Sequence, residues 1–174
     1  MGAIHDSRST IHVRERVLGL GSLKRILTRE RRGKRVVLTN GVFDLLHVGH
    51  VAYLERAKSF GDLLVVAVNN DASVRALKGP TRPVNPAQSR AEVLAGLRAV
   101  DYVTLFSGIR ATAVIRALAP DVYVKGGDYT PATLNRDERS ALKDVGAQVI
   151  IVPFVRGFST TKTIQKMNKR KRRQ

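Results

Sequence analysis

The chain has 174 residues, no cysteine and a formal net charge of +17. That length suits one domain whose core buries about 70% of the unfolded surface, and the missing cysteines exclude a disulfide scaffold or a cysteine-built metal centre. The charge does not mark a nucleic-acid reader, because residues 1–35 hold 10 Lys/Arg against 3 acids and residues 166–174 hold 6 against none, while 36–165 hold 15 against 11; the excess describes the ends more than the body. No run approaches the length of a membrane span and the opening MGAIHDSRST has no apolar stretch, so a cytoplasmic protein without a membrane partner is the expectation.

In chain order, residues 1–19 lack periodicity and read as an extension, residues 20–167 as the domain and residues 168–174 as a basic tail that frays into solvent. Residues 21–32 (GSLKRILTRERR) predict a short basic helix on the sheet edge, with Ser22 as N-cap, Leu23, Ile26 and Leu27 as its stripe, and Gly33 at its end. Residues 35–39 (RVVLT) predict the first strand and residues 48–60 a helix. The uninterrupted apolar run LLVVAV at 63–68 predicts a strand buried on both faces, hence a parallel sheet. Residues 75–86 (RALKGPTRPVNP) read as a proline-stiffened loop whose cations Arg75, Lys78 and Arg82, with Arg90 nearby, come within reach of a triphosphate. A helix over 86–97, a strand over 102–106, a helix over 109–118 and a short strand over 122–124 follow. That strand ends in KGGDY, where paired glycines allow close backbone approach. A polar helix over 133–145 and a fifth strand over 148–152 precede Ser159, a plausible N-cap, with Thr160 and Thr161 in the first turn of a last helix, where N–H groups and hydroxyls form an anion cradle. The alternation predicts an α/β fold built on a doubly wound, five-stranded parallel sheet of Rossmann-like type. The absence of G-x-G-x-x-G after the first strand and of a Walker loop disfavours dehydrogenases and P-loop enzymes.

The chemistry concentrates in residues 39–50 (TNGVFDLLHVGH), where a strand feeds a helix start beyond the carboxyl end of the sheet, a place where ligands bind and where free N–H groups favour anions. His47 and His50, at i and i+3, share one face. Neutral imidazoles donate to phosphate oxygens without the full desolvation cost of a buried charge, and either becomes cationic as negative charge develops. The pattern points to phosphoryl or nucleotidyl chemistry. Two other readings of the pair stand beside it: a metal site, for which only His5 and His12 remain as further imidazoles, and two packed structural histidines.

With His47-Val48-Gly49-His50 and the late Ser159-Thr160-Thr161, the chain resembles the cytidylyltransferase-like nucleotidyltransferase superfamily. The stretches GVFDLLHVGHVAYLERA, VNNDASVRALKGPTRPVNP, VKGGDYTP and FSTTKTI are similar to the D-glycero-β-D-manno-heptose 1-phosphate adenylyltransferases, which occur alone or as the C-terminal half of a bifunctional kinase/adenylyltransferase. The resemblance covers residues 20–167. It implies transfer of AMP from ATP to a sugar 1-phosphate, giving ADP-sugar and pyrophosphate, with Mg²⁺ held mainly by the triphosphate, no protein metal site and a homodimer. It also implies roles. His47, His50 and Lys78 would be catalytic; Asn40, Gly41, Phe43, Gly49, Arg90, Ser159, Thr160 and Thr161 would bind nucleotide, with Arg90 and Thr160 at the β/γ end; Asp44, Lys125, Gly127 and Asp128 would face the substrate, Asp44 as a candidate metal or water contact. Residues 135–139 (NRDER) depart from the shorter glycine-bearing segment of that pattern. Two other functions remain in view: a cytidylyltransferase for an alcohol phosphate such as glycerol 3-phosphate, which shares both motifs, and a nucleic-acid-binding protein, for which the basic ends supply only weak, non-specific attraction.

Overall fold

The computed structural model describes residues 13–127, 133–153 and 157–171, with side chains at all of these except 162 and 167–171. Five parallel strands, β1 (Val36–Gly41), β2 (Leu63–Asn69), β3 (Tyr102–Phe106), β4 (Val122–Gly126) and β5 (Gln148–Val152), form one sheet in the order β3-β2-β1-β4-β5. The helices are α1 (Leu20–Glu30), α2 (Val48–Lys58), α3 (Asp71–Lys78), α4 (Ala87–Ala95), α5 (Thr112–Leu118), α6 (Arg136–Asp144) and α7 (Thr160–Lys171).

Alternation along β1 and β2 divides the core. Val36, Leu38, Val65 and Ala67 face Leu23 and Leu27 of α1, Val114, Ile115 and Leu118 of α5, and Ala141 and Leu142 of α6. Val37, Leu64, Val66 and Val68 face Leu54 and Ala57 of α2 and Ala91, Leu94 and Ala95 of α4. All seven residues of β2 are buried, as a strand covered on both faces requires. The chain steps from β1 to β2 on one side and returns through β4 on the other, so the topological switch point lies between β1 and β4, where their carboxyl ends open a crevice.

Several local expectations are corrected. Gly19, not Ser22, occupies the N-cap of α1, and Ser22 accepts instead from Arg25 within the helix. Residues 71–78 form α3, in place of the loop expected from residue 75 onward, because Asn70 accepts from the Ser73 N–H at 2.9 Å and caps it. β4 runs to Gly126, paired with Val152 of β5. Residues 13–18 lie on the body: Val17 bridges to Val103 in parallel, the Leu18 N–H donates to the Val103 carbonyl at 2.9 Å, and Arg16 reaches the Ala95 carbonyl. Helix α7 continues through Lys171, past the point where a fraying tail was expected.

Candidate active site

The crevice at the switch point is lined first by the turn after β1. Gly41 has no room for a side chain, since a Cβ there would stand 2.9 Å from Cε2 of Phe43. Phe43 adopts φ +46°, a left-handed conformation that costs an L-residue about 1–2 kcal/mol. Burial of its ring in the core cluster on this face of the sheet, with an Arg90 bond to the preceding carbonyl of Val42 (2.5 Å), offsets that strain.

His47 caps α2 in extended conformation, and its carbonyl accepts the N–H groups of His50 (2.8 Å) and Val51 (3.3 Å). The two imidazoles stack, with centroids 3.9 Å apart and planes 18° from parallel. Phe43 flanks His50 at 5.4 Å and Phe158 flanks His47 at 6.2 Å. Gly49 leaves the stack its room, because a Cβ there would stand 3.0 Å from His47 Nδ1 and push the ring aside. Neither Nδ1 has a hydrogen-bond partner. Burial lowers the His47 pKa, and burial followed by repulsion from His47 lowers that of His50 to about 4, so both are neutral at pH 7. The pair thus sits uncharged beside the free N–H groups that open α2, an arrangement ready to donate to an anion and to take up charge from it.

Across the crevice, Asn40 Oδ1 accepts from the Tyr123 hydroxyl at 2.6 Å and from the Lys125 ammonium at 2.7 Å. Lys125 is almost wholly buried, 5.4 Å from the centroid of the Tyr123 ring. Behind them, Tyr53 of α2 lies 2.7 Å from Thr39 Oγ1 and donates to the Val124 carbonyl at 3.0 Å, fastening β1 to β4 under the site. Neither tyrosine is signalled in the sequence except by its place on an element near the motif. Gly127 follows β4 and is exposed, and Asp128 lies outside the described residues. From the C-terminal side, Thr160 donates through Oγ1 to the Leu45 carbonyl at 2.9 Å, tying the start of α7 to the His-bearing loop; Ser159 accepts through its carbonyl from Thr163, and Thr161 is exposed. Lys78 ends α3 with its side chain exposed.

Two expected ligand-binding residues have other work. Arg90 is fully buried and directs its guanidinium inward, to the carbonyls of Asn85 (2.9 Å), Val42 (2.5 Å) and Asn69 (2.8 Å) and to Asp71 Oδ1 (2.8 Å); four of its five N–H donors are so engaged, and it braces the loops around the crevice. Asp44 is likewise buried, accepting from Arg82 Nε (2.6 Å) and from the N–H groups of Val84 and Asn85 (2.8 and 3.0 Å). Burial pushes its pKa up, but those N–H groups and the Arg82 guanidinium outweigh burial and hold it below the usual value. Asp44 fastens residues 82–85, and both of its carboxylate oxygens accept from these protein donors. The departing segment also turns out structural: Asn135 caps α6 and Glu138 accepts the buried Ala111 N–H at 3.0 Å.

The model of the family described as cytidylyltransferase-like matches residues 38–171, from β1 to the end of the described chain. The chain belongs to the cytidylyltransferase-like family. Relatives include proteins named "Bifunctional protein HldE" from Alkalilimnicola ehrlichii, 55% identical over 78% of this chain and 28% of the relative, and from Sulfurimonas denitrificans, 47% identical over 95% of this chain and 33% of the relative. The chain therefore spans about a third or less of the length of these relatives. A solved structure, a lipopolysaccharide core biosynthesis protein from Thermoplasma volcanium, is 31% identical, superposes with a TM-score of 0.59 and is matched over 98% of its chain and 71% of this one. In this cytidylyltransferase-like chain no described helix is long and apolar enough to cross a membrane.

Proposed function

We propose that this domain transfers AMP from ATP to a sugar 1-phosphate, with D-glycero-β-D-manno-heptose 1-phosphate as the preferred acceptor. The observation that carries the reading is the neutral, stacked His47/His50 pair at the start of α2, in the crevice of the switch point. The relatives named HldE and the solved lipopolysaccharide core biosynthesis protein support the sugar assignment over an alcohol phosphate.

An oxygen of the sugar phosphate attacks the α-phosphorus in line, forming the new P–O bond as the bond to the bridging α–β oxygen breaks and pyrophosphate leaves with its electron pair. No covalent intermediate with the protein is needed. Catalysis then consists of holding the two reactants aligned and stabilising charge that grows on the α-phosphate and the leaving group. His47, His50 and the N–H groups of α2 serve the phosphates, Lys78 the leaving group, and Lys125, fixed by Asn40, the acceptor side.

Mg²⁺ enters this reading as a companion of the triphosphate, lowering its charge. The described residues contain no group of three His, Asp or Glu side chains able to hold a metal, and Asp44 is filled by Arg82, Val84 and Asn85. The described residues thus form no metal cage, and the ion would arrive with the triphosphate. Pyrophosphate release measured across four nucleoside triphosphates and a panel of phosphorylated sugars and alcohols tests the proposal. Fastest turnover is expected for ATP with the heptose 1-phosphate; faster turnover with CTP and glycerol 3-phosphate overturns it.

A further inference from the structure

With Arg90 turned inward, the cations expected at the far end of the triphosphate are one short, and the connection between α3 and α4 supplies another. Arg82 is held by a single bond, Nε to Asp44 Oδ2 at 2.6 Å. Asp44 does not need more from it, because the N–H groups of Val84 and Asn85 already reach both carboxylate oxygens. Arginine–carboxylate pairs are frequently gripped by two parallel bonds. Here the contact is made through Nε alone. The two Nη groups of Arg82 have no hydrogen-bond partner among the described residues, and neither is sealed from solvent. The side chain is nevertheless only 13% exposed, so it lies in the wall of the molecule and does not sweep through solvent as surface arginines do. Its anchor, Asp44, stands three residues before His47 on the same turn, and Lys78 stands at the head of the same connection. A charged fork, fixed at one corner by a wholly buried carboxylate and open at the other, fits a phosphate oxygen pair.

We infer that Arg82 is a phosphate-binding residue of this site, aimed by Asp44, and that it takes the β- and γ-phosphates of the nucleotide and then the pyrophosphate released from it. The inference rests on the nucleotidyltransferase reading. It divides the labour of the connection: Lys78 is an exposed point charge, and Arg82 is a prepositioned fork whose direction is set before any ligand arrives.

The test is isothermal titration of the protein with ATP, pyrophosphate and AMP, repeated on Arg82→Gln and Arg82→Lys, with thermal melts of each. Loss of one charge-assisted contact predicts about tenfold to a hundredfold weaker binding of ATP and pyrophosphate by Arg82→Gln, with AMP binding unchanged because AMP lacks the β- and γ-phosphates. A merely structural Arg82 would weaken all three alike, or none, and either result overturns the proposal. Should Arg82→Gln fail to fold, Arg82→Lys decides: one ammonium can hold Asp44 but cannot also bridge a phosphate pair, so ATP and pyrophosphate weaken while AMP does not, and equal binding of all three overturns the assignment. Failure of the unaltered protein to bind ATP at all would overturn the nucleotidyltransferase reading and this inference with it, whereas normal ATP binding with an indifferent Arg82 would overturn this inference alone.

Discussion

His50 carries a cost before it carries any ligand. Its folded pKa of about 4 lies below the ordinary 6.5, so between those values the unfolded chain binds more protons than the folded one. Stability therefore rises with pH across that window and is lost as pH falls from 6.5 toward 4. Thermal melts from pH 7 to pH 4 are expected to fall, and His50→Gln, which has no proton to take up, should flatten the slope; an unchanged slope would show that other groups account for it. Asp44 acts in a separate range, because its pKa is held below 3.8 and its contribution is lost only as the pH falls further. In steady-state kinetics, His50→Ala should lower kcat by about a hundredfold or more, the scale for removing one preorganised donor to a transition-state charge. Gly49→Ala should produce a comparable loss without touching any polar group, because its methyl would displace the His47 ring; wild-type kcat in that variant would mean that the stack is dispensable.

At the scale of elements, Arg90 and Thr160 join segments remote in sequence. Replacing Arg90 by Met leaves the carbonyls of Val42, Asn69 and Asn85 without their donor and should cost about 3–5 kcal/mol in urea unfolding. A loss below 1 kcal/mol would contradict the bracing role. Thr160→Ala should weaken ATP binding by freeing the start of α7 from Leu45, and Thr160→Ser should restore it. The contrast between these residues and the motif shows what was legible. β3 and β5 were readable to the residue, since apolar runs there stop at polar, Gly or Pro neighbours. His-x-Gly-His was readable because one turn of chain brings both rings together. α3 was missed because the three prolines in residues 75–86 outweighed the Asn70 cap that starts it. The roles of Arg90 and Asp44 could not be read at all: sequence shows a charge, but the carbonyls that claim Arg90 come from Val42, Asn69 and Asn85, which only the sheet topology gathers. The open fork of Arg82 is hidden for the same reason.

For the molecule as a whole, residues 13–18 matter more than an extension would. They pair with Val103 on the outer side of β3, an edge strand whose free groups otherwise invite another chain. Deleting residues 1–18 should lower the melting temperature and add concentration-dependent self-association in light scattering beyond that of the full chain, while the kcat of the fraction that stays unaggregated holds. Unaltered solution behaviour would mean that the edge is protected some other way. Order along the chain has a further consequence. β1 is the central strand and the first of the five in chain order; it is complete at residue 41, but its neighbour β4 starts only at residue 122. At about 5–20 residues per second the interval is roughly 4–16 s, during which the flank of β1 that pairs with β4 has no partner strand. Thr160 reaches Leu45 later still. The crevice is thus closed only after all five strands are made, and a chain interrupted before residue 160 carries the His47–His50 motif without the means to close it.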